Sequence, residues 1–181
     1  MNKEMIVSVF GSSRPRESEP EYIEARRLGH VLAQKGFAVC TGGYGGTMEA
    51  VSRGAKDAGG KTYGVTAEFF PNAKANAWVD VEVRVKTWQD RLFEIIRLGD
   101  GFVACKGGTG TLSELAVTWE MMNKSVTPPK PFVALGEFWV PILDCVRRVE
   151  AGQNNPWAEG KEQILRTAAT PEEAAEFFGI V

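Results

Sequence analysis

Two stretches of this chain carry the same order of residues: a short apolar run, a dense cluster of glycines, then apolar residues at helical spacing. In the first, Phe37 to Thr41 leads into Gly42-Gly43-Tyr44-Gly45-Gly46-Thr47, after which Met48, Val51, Ala55 and Ala58 continue until Gly59-Gly60. In the second, Gly101-Phe102-Val103-Ala104-Cys105 leads into Lys106-Gly107-Gly108-Thr109-Gly110-Thr111, and Leu112, Leu115, Trp119 and Met122 recur at the three-to-four spacing of a buried helix face. Each reads as a buried strand, a tight turn and a helix start. Glycines at 107, 108 and 110 are expected to turn the backbone with positive φ and to keep side chains out of the way of an incoming ligand. The helix that follows aims free N–H groups and the positive end of its dipole into the same space, which stabilises an anion such as phosphate. In a parallel sheet both turns lie at the carboxyl ends of strands, where such sheets bind ligands.

The rest of the chain alternates strand and helix in the same way. Ile6 to Phe10 reads as a strand ending in Gly11-Ser12-Ser13-Arg14-Pro15, a turn that either approaches a ligand or faces solvent. Ser18 as a cap and Pro20 near the first helical position open a helix with Tyr22, Ala25, Leu28 and Leu32 on one face, closed by Gly36. Lys61 to Val65 is a strand, and Thr66 to Trp78 reads as an irregular loop of the kind that often serves as a lid. Val79, Val81, Val83 and Val85 alternate with polar residues as a half-buried strand does, and Trp88 to Leu98 follows as a helix. After the prolines at 128, 129 and 131 come a strand at Phe132 to Leu135, an amphipathic helix at Phe138 to Val149 and a turn at Asn154-Asn155-Pro156. An edge strand at Ile164 to Ala168 and a helix at Pro171 to Phe178 complete the chain. This alternation predicts an α/β fold, a Rossmann-like doubly wound and mostly parallel sheet flanked by helices, with residues 1–181 forming one domain.

Composition narrows the function classes. The 181 residues are 44% hydrophobic, enough for one sizeable core. Cys40, Cys105 and Cys145 form no CxxC pair, so neither a disulfide framework nor a zinc knuckle is expected, and a reducing cytoplasm is the expected location. The apolar run from Met5 to Phe10 is too short for a signal peptide or a membrane span, and no membrane partner is expected. With a net charge of −2 and scattered basic residues, no nucleic acid partner is expected either.

The chemistry is bounded by what is missing. The dinucleotide fingerprint GxGxxG fails because Met48 holds the third glycine position after Gly43 and Gly45, and the Walker pattern fails because Lys106 precedes its glycines. His30 is the single histidine and reads as structural, which leaves no Ser-His-Asp or Cys-His arrangement and no metal site. Cys105 reads as a small buried hydrophobe. No lysine stands in a setting for pyridoxal phosphate, and no cofactor is expected. Glu114 and Arg91 remain. A carboxylate beside a ribose stabilises the positive charge that develops as an N-glycosidic bond breaks, and an arginine holds phosphate or ribose. Each has a plainer reading: Thr111 to Glu114 fits the S/T-x-x-E capping box, and Arg91 with Glu94 fits a surface ion pair.

With these residues in place the sequence resembles the LOG family of cytokinin riboside 5′-monophosphate phosphoribohydrolases, over roughly the first two-thirds of the chain. The family's PGGxGTxxE signature corresponds to Lys106 through Glu114, with Lys106 in place of the proline and Leu92 in place of the lysine that follows the family's arginine. The resemblance implies that Arg91 and Glu114 are catalytic. It implies that Gly11, Ser12, Gly42, Gly43, Gly45, Gly46, Met48, Gly107, Gly108, Thr109, Gly110 and Thr111 bind the phosphate and nucleotide. It further implies a homodimer that cleaves an AMP-like nucleotide to free base and ribose 5-phosphate, and not a lysine decarboxylase. A non-catalytic carrier or sensor that binds a nucleotide or cofactor with the same loops is the alternative.

Overall fold

Apolar runs bounded by turn residues form seven short strands, β1 (Ile6–Phe10), β2 (Ala38–Thr41), β3 (Thr62–Ala67), β4 (Val81–Val85), β5 (Gly101–Ala104), β6 (Phe132–Leu135) and β7 (Leu165–Ala168). In the computed structural model, which describes residues 4–151 and 164–179, they form a single sheet of order β4-β3-β2-β1-β5-β6-β7. Every pairing is parallel. Six helices flank the sheet among the described residues: α1 (Pro20–Gln34), α2 (Thr47–Asp57), α3 (Trp88–Leu98), α4 (Thr109–Asn123), α5 (Val140–Ala151) and α6 (Pro171–Glu176). A 3₁₀ turn at Glu137–Trp139 leads into α5. The expected doubly wound α/β architecture is present, with no antiparallel strand among the described residues. None of the described helices is long and apolar enough to cross a membrane.

Strands buried on both faces need helices on both faces. One core packs α1, α2 and α6 against Val7, Val9, Val39, Val103 and Val133, and the other packs α3, α4 and α5 against Phe10, Phe102, Phe132 and Val65. Phe10, Phe102 and Phe132 meet across neighbouring strands, with ring centroids 5.6 to 6.1 Å apart. The winding starts at β1 and runs outward through β2, β3 and β4, then returns to β5 on the other side of β1. The carboxyl ends of β1 and β5 are therefore the switch point of the sheet, where two turns diverge and leave a crevice.

Several local expectations shift by a few residues. The N-cap of α1 is Glu19, without a side-chain bond, rather than Ser18. β3 continues to Ala67, and β4 starts at Val81 rather than Val79 because Val79 and Asp80 turn the chain into the sheet edge. Ile164 stands just outside β7, and the Asn154-Asn155-Pro156 turn lies outside the described residues. Helices α1 and α2 approach backbone to backbone: a Cβ at Gly29 would land on the Val51 carbonyl, and one at Gly54 on the Arg26 carbonyl. Gly54→Ala is accordingly expected to lower stability by about 1–3 kcal/mol, read as a lower urea midpoint at unchanged slope.

Candidate active site

The two glycine turns, alike in sequence, serve different ends. After β5, Gly108 is the N-cap of α4 with φ −93°, and no side chain caps the helix. None of Gly107, Gly108 and Gly110 adopts the expected positive φ. The first helical bond runs from the Leu112 N–H to the Gly108 carbonyl at 2.9 Å, and the amides of Thr109, Gly110 and Thr111 carry no protein hydrogen bond among the described residues. A Cβ at Gly108 or Gly110 would meet nothing within 4 Å. Neither dihedral strain nor packing requires glycine there, and what its absence of side chain leaves is open space over three unsatisfied donors. That is the arrangement an anion needs.

The turn after β2 has two of its amides occupied. Gly43 and Gly46 take φ of 75° and 69°, the Gly43 N–H donates to Thr41 Oγ1 at 3.1 Å, and the Thr47 N–H donates to the Ser12 carbonyl at 2.8 Å. The Gly42 carbonyl accepts a hydrogen bond from Arg91 Nη2 at 2.9 Å. A Cβ on Gly42 would overlap that nitrogen and come within 2.6 Å of Met48 Sδ. This turn seats an arginine.

Arg91 is held in the first turn of α3, a helix started by the reciprocal capping bonds of Thr87 and Asp90. It is 8% exposed. Its Nε donates to the Val65 carbonyl at 2.8 Å, Nη2 also lies 3.5 Å from Met48 Sδ, and the guanidinium sits 5.2 Å from the Tyr44 ring centroid. These contacts fix the group and leave Nη1 facing Glu114 Oε1 at 4.0 Å. The expected surface pair of Arg91 with Glu94 does not form. α3 buries Arg91, Leu92, Ile95 and Ile96, which turns Glu94 toward Arg97 at 2.6 Å instead. Leu92, where the resemblance would have a lysine, is part of that buried face.

Glu114 does not cap its helix. α4 begins at Thr109, so Thr111 already lies inside the first turn and is buried, and the expected capping box has no N-cap threonine to close it. Leu112, expected in the core, is 39% exposed. The Glu114 side chain is 13% exposed. Burial pushes its carboxyl up to about 7, although the nearby Arg91 guanidinium pulls the other way. A carboxyl with such a value changes charge near neutral pH, which suits proton transfer.

Both residues line a cleft of about 1050 Å³ at the switch point, together with Gly11, Ser12, Met48 and the run from Gly107 to Thr111. Gly42, Gly43, Gly45 and Gly46 do not line it. Arg14 and Lys106 bring positive charge to the cleft, with the Lys106 ammonium 2.8 Å from Glu21 Oε1. Tyr44, Phe70 and Trp88 also line it, and none of them stood out in the sequence. The one signal available was Tyr44, a large ring inside a glycine turn. Cys40 and Cys105 are fully buried, which pushes both thiols up to about 12 and leaves them unreactive. Among the described residues no cluster of histidine, cysteine and carboxylate side chains is placed to hold a metal.

A family model described as the SLOG cluster4 family matches residues 4–132. The chain belongs to this family. It is 32% identical over 135 residues to an Archaeoglobus fulgidus protein, a match covering 74% of this chain and 85% of that one. It is 29% identical over 148 residues to a cytokinin riboside 5′-monophosphate phosphoribohydrolase of Rhodococcoides fascians, covering 77% and 73%. Among solved structures, the molybdenum cofactor binding protein of Rippkaea orientalis superposes with a TM-score of 0.74 at 24% identity, covering 96% and 94%. The family match spans β1 through the start of β6, and so includes both glycine turns, Arg91 and Glu114.

Proposed function

We propose that this SLOG cluster4 protein is a phosphoribohydrolase acting in the cytoplasm as a homodimer. It would split the N-glycosidic bond of a purine nucleoside 5′-monophosphate with water to give free base and ribose 5-phosphate. The observation that carries this reading is a buried Arg91–Glu114 pair standing one helical turn from three unsatisfied amides in the same cleft. A phosphate on the amides of Thr109, Gly110 and Thr111 leaves the ribose to face the pair. As the bond to the base breaks, positive charge grows on the ribose, and the Glu114 carboxylate stabilises it and takes a proton from the attacking water, a proton that the departing base nitrogen gains in turn. Arg91, pinned by two carbonyls, favours the ionised form of Glu114 against the cost of its burial and offers Nη1 to the sugar phosphate. Arg14 supplies further positive charge for the phosphate in place of the lysine that Leu92 replaces, and Lys106 does so where the phosphate draws it from Glu21. The relative from Rhodococcoides fascians supports the same chemistry. Incubation of purified protein with AMP, followed by chromatography, is expected to show adenine and ribose 5-phosphate in equal amounts. Binding of nucleotide with no base released from AMP, GMP or any other nucleoside monophosphate would assign the carrier role instead.

A further inference from the structure

We infer that Phe70, braced on Tyr44, is the wall against which the base stacks, and that it selects purines over pyrimidines by ring area rather than by hydrogen bonds to the base edge. The inference deepens the phosphoribohydrolase reading and takes the orientation of the nucleotide from it. Measured separations order the cleft. Glu114 lies one turn along α4 from the open amides, Arg91 Nη1 is 4.0 Å from Glu114, and the guanidinium is 5.2 Å from the Tyr44 ring centroid. The Phe70 ring centroid is 5.6 Å from that of Tyr44, edge to face at 83°, and Phe70 lines the same cleft. A nucleotide with its phosphate at the amide end and its ribose at the pair places its base at Tyr44 and Phe70.

That end of the cleft is apolar. Met48 touches Arg91 from one side, Trp88 and Leu92 flank it on α3, and Ala73 lies on the same turn as Phe70. The rings are also held in place without ligand. The Tyr44 hydroxyl accepts a hydrogen bond from the Ala67 N–H at 2.9 Å. Asn76 closes the other end of the segment, donating from its backbone N–H to the Gly43 carbonyl at 2.8 Å and from Nδ2 to the Tyr44 carbonyl at 2.9 Å. The chain after β3 is thus tied at both ends to the glycine turn after β2, and Phe70 is presented to the cleft between the two ties. A preorganised ring costs little ordering on binding. Stacking on it tolerates any base and strengthens with the area of the base.

The test uses the full chain carrying Glu114→Gln, so that nucleotide survives during calorimetry. Adding Phe70→Ala is expected to weaken AMP binding about tenfold or more, to leave ribose 5-phosphate binding within about twofold, and to erase the preference for AMP and GMP over UMP and CMP. Phe70→Trp should restore the affinity. Unchanged AMP affinity in Phe70→Ala, or an equal loss for ribose 5-phosphate, overturns the inference. A wild-type protein that holds AMP without releasing base removes the phosphoribohydrolase reading while these affinities still decide the role of Phe70. A protein that binds neither ligand overturns both.

Discussion

Glu114→Gln is expected to lower kcat for base release by about 10²–10⁴-fold and, at the same time, to make the folded protein more stable at alkaline pH. Both effects have one cause. Glutamine keeps the size and burial of the side chain and never carries its charge. In the native protein the carboxyl holds its proton up to about pH 7, against 4.5 for an unperturbed glutamate. Between those values the folded chain binds more protons than the unfolded chain, so stability falls as pH rises, and above pH 7 the whole cost of the buried charge is present. The variant should therefore match the native protein in urea at pH 4.5 and exceed it by up to about 3 kcal/mol at pH 8. Activity of the native protein should run the other way, rising with pH through about 7 as the carboxylate forms. Equal urea midpoints at pH 8 would mean that the carboxylate is not held out of water.

Arg91→Ala is expected to be the more damaging change. It leaves the Gly42 and Val65 carbonyls without their Arg91 donor and Glu114 without the cation that favours its ionised form. Removing one partner of a buried pair costs about 3–5 kcal/mol, and the loss should be largest at pH 8, where the carboxylate must either stay unpaired or take up a proton. What remains folded should be inactive, with any residual activity displaced to higher pH. Adding Glu114→Gln to it should cost little further activity, because the two side chains act as a unit. Arg91→Lys restores the charge but not the two-carbonyl fork, and should recover only part of the stability. A fully stable Arg91→Ala protein with a native pH profile would show that the pair carries neither role.

Much of the fold was legible because its signals are local. Apolar runs of four to six residues, helical spacing of Tyr22, Ala25, Leu28 and Leu32, and glycine at 36, 59 and 60 each report on their own neighbourhood. Errors fell where the deciding partner is remote or where two registers are nearly equivalent. The S/T-x-x-E pattern from Thr111 to Glu114 is genuine, but the helix starts three residues earlier, and nothing nearby in sequence distinguishes the two starts. Arg91 and Glu94 have pair spacing, yet the sheet takes Arg91 and leaves Glu94 to Arg97. The aromatic wall went unread because Tyr44 and Phe70 are brought together by hydrogen bonds between two turns.

The sequence by itself determined the alternation of strand and helix, the two glycine turns and the residue types available for chemistry, since periodicity and glycine content act over a few residues. Only the tertiary structure decided what each turn does. A carbonyl from the turn after β1 occupies the first amide of α2, and two carbonyls from β3 and the turn after β2 seize Arg91, while among the described residues nothing reaches the first three amides of α4. The environment of Glu114 arises in the same way. Its charge near neutral pH depends on how much water the assembled sheet and helices exclude and on where Arg91 is pinned, and neither is a property of the residues beside it.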